Sequence, residues 1–261
     1  MLVIGELING MYKAVGTAIE ARDKGAIQKI ARDEIAAGAN MLDVNTGPYA
    51  KDPKDVMKWL VESIQEVCDA PLALDSTKAD VIEEGLKIVK KKAMINSTNA
   101  DNAKLDVLVP MAKKYNASLI GLTMAKTGIP RDRHERMEHA ANIVTKCQEV
   151  GFNTSDLYLD PIVLPVNVAQ SQGIEILESI REFKLLCDPS PKTVVGLSNA
   201  SQSTKQRPLI NRTYLIMAIA CGLSAAIMDP LDQDLMHAAV TAELILNKTI
   251  YCDSFLDAHK K

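Results

Sequence analysis

Short apolar runs of this chain repeatedly end in a carboxylate or a carboxamide. These polar residues are Glu6, Asp43, Asn45, Asp75, Asn96, Asp160, Asn199 and Asp229. A carboxylate accepts two parallel hydrogen bonds from a ring edge that carries an N–H beside an exocyclic amino group, and an Asn side chain can both donate and accept at neighbouring ring atoms. A site of such residues, without an Arg cluster, suits a heterocyclic amide such as a 2-amino-4-oxo-pterin better than a phosphate.

The same residues could have a purely structural role, because Asp and Asn are also favoured N-cap residues of helices. For any single residue both interpretations stay open. For a group of four the capping interpretation is weaker, since N-cap residues need not also be the last residues of buried strands. The four residues are Asp75, Asn96, Asp160 and Asn199.

Other catalytic and metal-binding patterns are missing from the sequence. It contains no Gly-rich nucleotide-binding motif, no Cys-x-x-Cys and no His-Glu-x-x-His. His134 and His139 are separated by a spacing that does not place them on one helical face. No His follows an apolar run, so a Ser-His-Asp triad is not expected either. We therefore expect no protein-bound metal.

The polar residues need a scaffold that brings them together, and the apolar pattern predicts one. Short runs typical of strands buried on both faces begin near Leu2, Met41, Leu72, Ala93, Ser118, Leu157, Thr193 and Ser224. Segments with helical spacing are predicted over residues 23–37, 54–68, 101–115, 134–150, 174–187, 212–221 and 234–247. This alternation favours an α/β fold, a single (β/α)8 TIM barrel over residues 1–261, because such a barrel needs about 250 residues.

In a closed parallel barrel the C-terminal ends of all strands open on one mouth, so the polar residues should converge there. The longest predicted βα loops, at 46–53, 124–133, 161–173 and 200–208, belong over the same mouth. Gly38 and Gly151 are predicted to follow helix C-termini. Pro53 and Pro110 are predicted to mark helix entries or surface turns.

Composition limits the classes of partner. The 30 basic and 33 acidic residues nearly cancel and aromatic residues make up 4%, which argues against nucleic acid. The start of the chain lacks a basic segment, and no apolar stretch approaches about 18 residues, so we expect a cytoplasmic protein that does not contact a membrane.

The five Cys are expected to be buried free thiols. Disorder is expected only over residues 257–261.

Six segments, taken in order, resemble the pterin-binding enzyme superfamily. They are Gly-Glu-Leu-Ile-Asn at 5–9, Leu-Asp-Val-Asn-Thr-Gly at 42–47, Leu-Asp-Ser-Thr at 74–77, Ile-Asn-Ser at 95–97, Leu-Asp-Pro at 159–161 and Gly-Leu-Ser-Asn-Ala-Ser-Gln at 196–202. Within that superfamily the chain is similar, along essentially its whole length, to the methyltetrahydrofolate:corrinoid/iron-sulfur protein methyltransferases. The Leu-Ser-Asn-x-Ser motif at 197–201 is the most specific part of the likeness.

The resemblance implies a reaction. The methyl group on the 5-position nitrogen of methyltetrahydrofolate would move to the cobalt(I) of a corrinoid (cobalamin). A separate corrinoid/iron-sulfur protein would supply that corrinoid and dock over the barrel mouth, and a homodimer through the barrel helices would leave both mouths free. The signature Asp-x-His-x-x-Gly of corrinoid-binding domains is approached at 132–137, but the segment lacks the glycine. We therefore expect this chain not to carry the corrinoid itself.

The resemblance also implies roles for individual residues. Asp75 and Asn96 would hold the pterin, and Asp160 would accept from its amino-pyrimidine edge. Asn199 would be the catalytic residue, because its carboxamide oxygen can accept from the N–H⁺ that develops as the methyl group leaves. The remaining implied pocket residues are Asp43, which would organise water and help to supply the proton, Arg207, which would favour the anionic folate tail, and Gly196, Ser198 and Gln202, which would line the pocket.

Three alternatives remain open. A dihydropteroate synthase would be expected to carry a Ser-Arg-Lys type motif near the seventh strand, where this chain reads Gly-Leu-Ser-Asn at 196–199, and its nearest lysine is Lys205. A non-catalytic folate-binding or carrier module would keep Asp75, Asn96 and Asp160, so only methyl transfer and Asn199 distinguish it. A barrel enzyme for an unrelated small polar substrate is the least specific alternative. The sequence leaves the direction of transfer and the pathway open.

Overall fold

Eight parallel strands close into a barrel in the computed structural model, which describes residues 1–48 and 50–257. Each strand pairs with the next along the chain, and the eighth pairs with the first. The strands are β1 (Leu2–Gly5), β2 (Met41–Asn45), β3 (Leu72–Asp75), β4 (Met94–Asn99), β5 (Ser118–Leu122), β6 (Leu157–Asp160), β7 (Lys192–Gly196) and β8 (Ala225–Met228). The predicted (β/α)8 TIM barrel is confirmed.

Helices connect consecutive strands around the outside of the barrel. In the described ranges they are α1 (Lys13–Glu20), α2 (Lys24–Ala36), α3 (Pro53–Gln65), α4 (Ala79–Leu86), α5 (Asn102–Lys114), α6 (Arg133–Val150), α7 (Val166–Ala169), α8 (Gln172–Glu182), α9 (Arg207–Ala220) and α10 (Gln233–Ile245). Short 3₁₀ helices occur at Thr154–Asp156, Phe183–Leu185 and Leu197–Ser201. None of the helices among these residues is long and apolar enough to cross a membrane.

The barrel interior begins with an apolar layer to which every strand contributes one side chain. The layer consists of Ile4, Met41, Ala73, Met94, Ile120, Tyr158, Val194 and Ala225. A larger apolar core fills the space between the strands and the surrounding helices. Because side chains alternate along a strand, the residue two positions later points into the barrel again, one layer nearer the mouth. The fold therefore places a second ring of side chains directly above the apolar layer.

The predicted helix boundaries differ from the structure at several points. The helices α1, α4 and α7 were not predicted, because each has only one or two turns. The helix predicted from residue 212 begins at Arg207, since Pro208 lies in its first turn, where a missing N–H costs no intrahelical hydrogen bond. Pro110 lies inside α5 and not at a turn, contrary to the prediction. The buried side chains around it, Leu108, Val109 and Ala112, keep this helix against the core.

The structure also tests several smaller predictions. Gly38 and Gly151 have φ angles of 105° and 69°, the left-handed conformation expected after a helix. All five Cys are free thiols as predicted, but Cys147 alone among them is buried and Cys252 is exposed, because residue 252 lies beyond the last barrel helix. The expected disorder falls mainly on residues 258–261, which lie outside the described residues.

Candidate functional site

The ring of side chains above the apolar layer is polar on five of its eight strands. Two positions after an apolar-layer residue, β2 carries Asp43, β3 carries Asp75, β4 carries Asn96 and β6 carries Asp160, while Glu6 directly follows β1. The parallel register sets Asn45 beside Asp75 and Asp75 beside Asn96. The predicted convergence of polar residues at the mouth is therefore present in the structure.

The capping alternative does not hold for the four residues singled out above. In the α-helices, N-caps with side-chain hydrogen bonds are made instead by Asp23, Asp52, Asp132 and Asp232. Asp132 accepts from the backbone N–H of Glu135 at 3.0 Å, so the corrinoid-like segment at 132–137 begins with a helix cap.

Two hydrogen bonds join the side chains of β2 to those of the next two strands. Asn45 Nδ2 donates to Asp75 Oδ2 at 2.5 Å, and Asn96 Nδ2 donates to Asp43 Oδ1 at 2.9 Å. Burial raises the pKa of Asp43 well above its usual range and the neighbouring Asp75 raises it further, whereas the Asn96 amide opposes the shift. Burial also raises the pKa of Asp75, and the hydrogen bond donated by Asn45 opposes this rise. Asp43 and Asp75 therefore do not readily carry a negative charge at the same time.

Asp160 ends β6 and is 9% exposed. Its Oδ1 accepts from the backbone N–H of Ile162 at 2.7 Å, and its backbone oxygen accepts from both the N–H and the hydroxyl of Thr123 at 2.9 Å. Burial raises the pKa of Asp160 to about 7, while the Ile162 N–H and the charge of Arg136 lower it. The carboxyl is therefore held in one orientation and is close to the balance between its two protonation states at neutral pH.

Asn199 does not end a strand, contrary to the prediction. Strand β7 stops at Gly196 because the chain then turns into the 3₁₀ helix Leu197–Ser201, and Asn199 is exposed on that turn. A Cβ atom on Gly196 would lie 3.0 Å from Asn199 Nδ2, so the glycine leaves room for the carboxamide.

Asn96 does not end a strand either, because it lies within β4, which continues to Asn99. Gln202 follows the 3₁₀ helix with an exposed side chain.

Ser198 and Arg207 lie on the side of the mouth nearest β1 and β8. Ser198 Oγ donates to Glu6 Oε1 at 2.6 Å, and Arg207 Nε donates to Ser201 Oγ at 3.2 Å. Burial raises the pKa of Glu6 to about 7, opposed by Ser198 and reinforced by Asp229. Ser198, Arg207, Glu6 and Asp229 share a cavity of about 360 Å³. This cavity gives the half-buried Glu6 carboxyl access to solvent.

Glu34 supports the same side of the mouth from below. It is fully buried, and its Oε1 accepts from the backbone N–H of Leu7 at 2.9 Å. Gly5 makes this approach possible, because a Cβ atom there would lie 2.4 Å from Glu34 Oε1. Glu34 Oε2 is buried without a hydrogen-bond partner among the described residues. Burial, with smaller contributions from Asp229 and Glu6, raises the pKa of Glu34 to about 8.

Sequence reasoning assigned no binding role to Glu6, Asn45 or Glu34. Glu6 and Asn45 carried a signal, since both follow apolar runs. Glu34 also carried one, because it continues the apolar stripe of Ile27 and Ala31 on the buried face of α2. A charged residue on such a stripe indicates either a buried ion pair or a carboxyl that stays protonated. In the described residues no three His, Cys, Asp or Glu side chains are arranged to hold a metal ion.

A closed parallel barrel with a mouth of carboxyl and carboxamide groups defines a (β/α)8 protein whose site suits a hydrogen-bonding ligand. The profile of the family described as pterin binding enzyme matches residues 15–229. The chain belongs to this pterin-binding family.

Relatives with curated names agree with this assignment. A methylcorrinoid:tetrahydrofolate methyltransferase from Eubacterium limosum is 26% identical over 266 residues, covering 100% of this chain and 97% of that protein. Methionine synthase from Mycobacterium tuberculosis is 27% identical over 241 residues, which cover 87% of this chain and 20% of that protein. The chain thus matches the first relative end to end but spans only a fifth of the second.

A solved structure supports the fold. Dihydropteroate synthase from Coxiella burnetii, in complex with pteroic acid, superposes with a TM-score of 0.70 over 95% of this chain and 94% of that one. The sequence identity is 13%, so the likeness shows the shared barrel and not a shared reaction.

Proposed function

We propose that this protein transfers the methyl group on the 5-position nitrogen of methyltetrahydrofolate to the cobalt(I) of a corrinoid. The observation that carries the proposal is the polar mouth, where the carboxyl groups of Asp75 and Asp160 and the amide of Asn96 lie in one ring and Asn199 is exposed above it. The full-length relative from Eubacterium limosum, whose name gives a methylcorrinoid and tetrahydrofolate as the reacting pair, supports the same chemistry.

In this proposal the pterin lies across the mouth with its edges on the polar ring. Asp160 accepts from the ring N–H and the exocyclic amino group, a geometry that suits an ionised carboxylate. Asp75 and Asn96 contact the opposite part of the ring, and Asp43 organises water below it through its bond with Asn96. The other proposed pocket residues are Gly196, Ser198 and Gln202 along the β7 side, with the exposed Arg207 near the anionic folate tail.

Asn199 is the proposed catalytic residue. A tertiary amine is a poor leaving group, so the 5-position nitrogen must gain a proton or a strong hydrogen bond as its bond to the methyl carbon breaks. The Asn199 carboxamide oxygen accepts from the N–H⁺ that develops, and the proton comes from water. Because this interaction strengthens only as the bond breaks, it lowers the barrier more than it strengthens folate binding. A positioned group of this kind contributes about 10²–10³-fold in rate.

We also propose that the corrinoid arrives on a separate corrinoid/iron-sulfur protein. The segments that follow the strands at the mouth carry exposed apolar side chains, which are Met11, Ile129, Val168 in α7, Leu209 in the first turn of α9, and Leu231. A homodimer through the exposed apolar residues of α9 and α10, which include Ile216, Met217 and Ile245, would leave each mouth free for such a partner. Residues 1–261 would act as one pterin-binding domain, and a cytoplasmic location stays a prediction.

Two other functions make different predictions. A dihydropteroate-synthase-like enzyme would condense a pterin pyrophosphate with p-aminobenzoate, and the barrel that it shares with this chain is its main support. A non-catalytic folate-binding module would bind methyltetrahydrofolate and leave the methyl group in place.

A single-turnover assay distinguishes these functions. The protein is mixed anaerobically with 5-methyltetrahydrofolate and chemically reduced cobalamin, and loss of the cobalt(I) absorbance is followed; the reverse reaction starts from methylcobalamin and tetrahydrofolate. Transfer that depends on the protein supports the proposal. Folate binding without transfer in either direction, also when a corrinoid/iron-sulfur protein is present, would favour the binding module, and failure to bind folate would refute the pterin site.

Asn199→Ala tests the mechanism in the same assay. We expect the rate of transfer to fall about 10²-fold or more while folate affinity changes little. Gln148→Ala is the control, because it removes an exposed carboxamide at the C-terminal end of α6, on the far side of the barrel from the mouth. Equal losses of rate and affinity in Asn199→Ala would reduce Asn199 to a binding residue.

A further inference from the structure

Arg136 is a fully buried arginine on the inner face of α6. Its Nε donates to the backbone oxygen of Pro161 at 2.7 Å, and its Nη2 donates to Gln172 Oε1 at 2.9 Å. Gln172 Nε2 in turn donates to the backbone oxygen of Arg131 at 2.7 Å. Through these bonds one side chain connects the loop after β5 with the loop after β6, and both loops border the mouth.

The Pro161 carbonyl belongs to the turn that orients Asp160. In this turn Asp160 Oδ1 accepts from the N–H of Ile162 at 2.7 Å, and Ile162 has a φ of 67°. The left-handed region is strongly disfavoured for a β-branched residue, so the surrounding structure must hold the turn in place. Arg136 supplies that restraint directly, because it binds the carbonyl between the two residues that make the Asp160 hydrogen bond.

The charge of Arg136 has no counter-ion in contact. Among the described residues no carboxylate lies within ion-pair distance of it, and its Nη1 is buried without a hydrogen-bond partner. The charged or titratable groups that act on it are Glu175 of α8, Tyr214 of α9, and Asp132 and Glu135 at the start of α6. Burial lowers the pKa of Arg136. Burial raises the pKa of Asp160, and the charge of Arg136 opposes that rise. A buried charge without a partner acts over a longer range than a paired one.

We infer that Arg136 is a positioning residue for Asp160: it fixes the turn that orients this carboxyl group and supplies the positive charge that favours its ionised form. The inference rests on the proposed function, because an ionised Asp160 is what the amino-pyrimidine edge of a pterin requires. In this role Arg136 acts on the ligand only through Asp160.

The first test needs no ligand. The Asp160 carboxyl is followed by ¹³C NMR of Asp-labelled protein across the pH range, and its signal is assigned by its loss in Asp160→Asn. In Arg136→Met the midpoint of the titration should rise by about one pH unit, since removal of a nearby opposite charge raises a carboxyl pKa. Arg136→Lys keeps the charge and should keep the midpoint. Arg133→Met, which changes a half-exposed arginine of the same helix, is the control and should also keep it.

The second test measures affinity for methyltetrahydrofolate at several pH values. In Arg136→Met the affinity should fall about sixfold more near pH 6.5 than near pH 8.5, because a smaller fraction of Asp160 is ionised at the lower pH. In the double variant Arg136→Met/Asp160→Asn, the affinity for methyltetrahydrofolate should depend on pH no more than it does in Asp160→Asn alone. Failure of the wild-type protein to bind folate would refute the proposed function, while the NMR titration would still decide the role of Arg136.

A midpoint that is the same in Arg136→Met and in the wild-type protein would overturn the inference, even if the variant were less stable. A uniform loss of affinity at every pH would overturn the charge effect assigned to Arg136, since loss of the turn alone would have that result. If Arg136→Met does not fold, Arg136→Gln replaces it as the neutral variant. The comparison with Arg136→Lys then decides the result, because both changes remove the planar guanidinium but only one removes the charge.

Discussion

Replacing Glu34 by Gln should destabilise the protein near pH 5 and stabilise it near pH 8. The folded chain raises the pKa of Glu34 from 4.5 to about 8, so between these values it binds one proton more than the unfolded chain. The stabilising contribution of protonated Glu34 is complete below pH 4.5 and is lost as the pH rises to about 8. The slope is about 1.4 kcal/mol per pH unit, which amounts to about 3 kcal/mol at pH 7.

Gln removes this dependence because it never ionises. Its amide oxygen can keep the hydrogen bond from Leu7, but its Nε2 needs an acceptor where Glu34 Oε2 now has no partner. An unsatisfied amide there costs about 1–2 kcal/mol. The balance is a loss of up to about 1 kcal/mol near pH 5, where ionisation of the unfolded chain costs little. It becomes a net gain of about 1–2 kcal/mol near pH 7 and of about 2–3 kcal/mol near pH 8.

Urea denaturation at intervals from pH 5 to pH 9 measures this difference. Asp33→Asn is the control, because Asp33 precedes Glu34 on the same helix but is exposed, in an ion pair with Lys29. Its effect should stay within about 0.5 kcal/mol at every pH. Stability curves of wild type and Glu34→Gln that run parallel from pH 5 to pH 8 would refute the reasoning, since they would show that Glu34 titrates alike in the folded and unfolded chains.

Two further predictions concern the same side of the mouth. Gly10→Ala should lower the free energy of unfolding by about 1–3 kcal/mol, because the new Cβ atom would lie 2.7 Å from the backbone of Thr46 and Gly47. Urea denaturation measures this loss. Gly173→Ala is the control, because a Cβ atom on Gly173 meets nothing within 4 Å. Ser198→Ala should raise the pKa of Glu6 above about 7, since it removes the hydroxyl that stabilises the charged form; a ¹³C carboxyl titration in which this pKa stays the same or falls would contradict the geometry.

The sequence was sufficient to predict the barrel because the signal for it is local. Each strand is an apolar run flanked by helical periodicity, and all eight strands begin within one residue of the predicted position. The convergence of Asp43, Asp75, Asn96 and Asp160 follows from the same pattern, since strand alternation and barrel closure alone place these side chains in one ring.

The parts that could not be predicted depend on contacts between distant segments. The 3₁₀ turn after β7 exposes Asn199 and brings it close to Gly196, and apolar periodicity does not encode this contact. Arg136 looks in the sequence like an ordinary charged residue of a long helix. Its burial appears only when the loop after β6 folds back over α6 and offers the Pro161 carbonyl.

The protonation of the mouth follows from how closely its acids are placed. Glu6, Asp43, Asp75 and Asp160 share one ring, Glu34 adjoins it, and each has a raised pKa because burial disfavours its charge. Three of these carboxyl groups are buried and those of Glu6 and Asp75 are half-buried. Positive charge reaches Asp160 from Arg136 and Glu6 from Arg207, so the five groups cannot all be ionised near neutral pH. Some must remain acids, so the mouth donates hydrogen bonds as well as accepting them. A pterin has both acceptor and donor edges, which is why a ring of carboxyl groups with divided protonation suits it better than a uniformly anionic one.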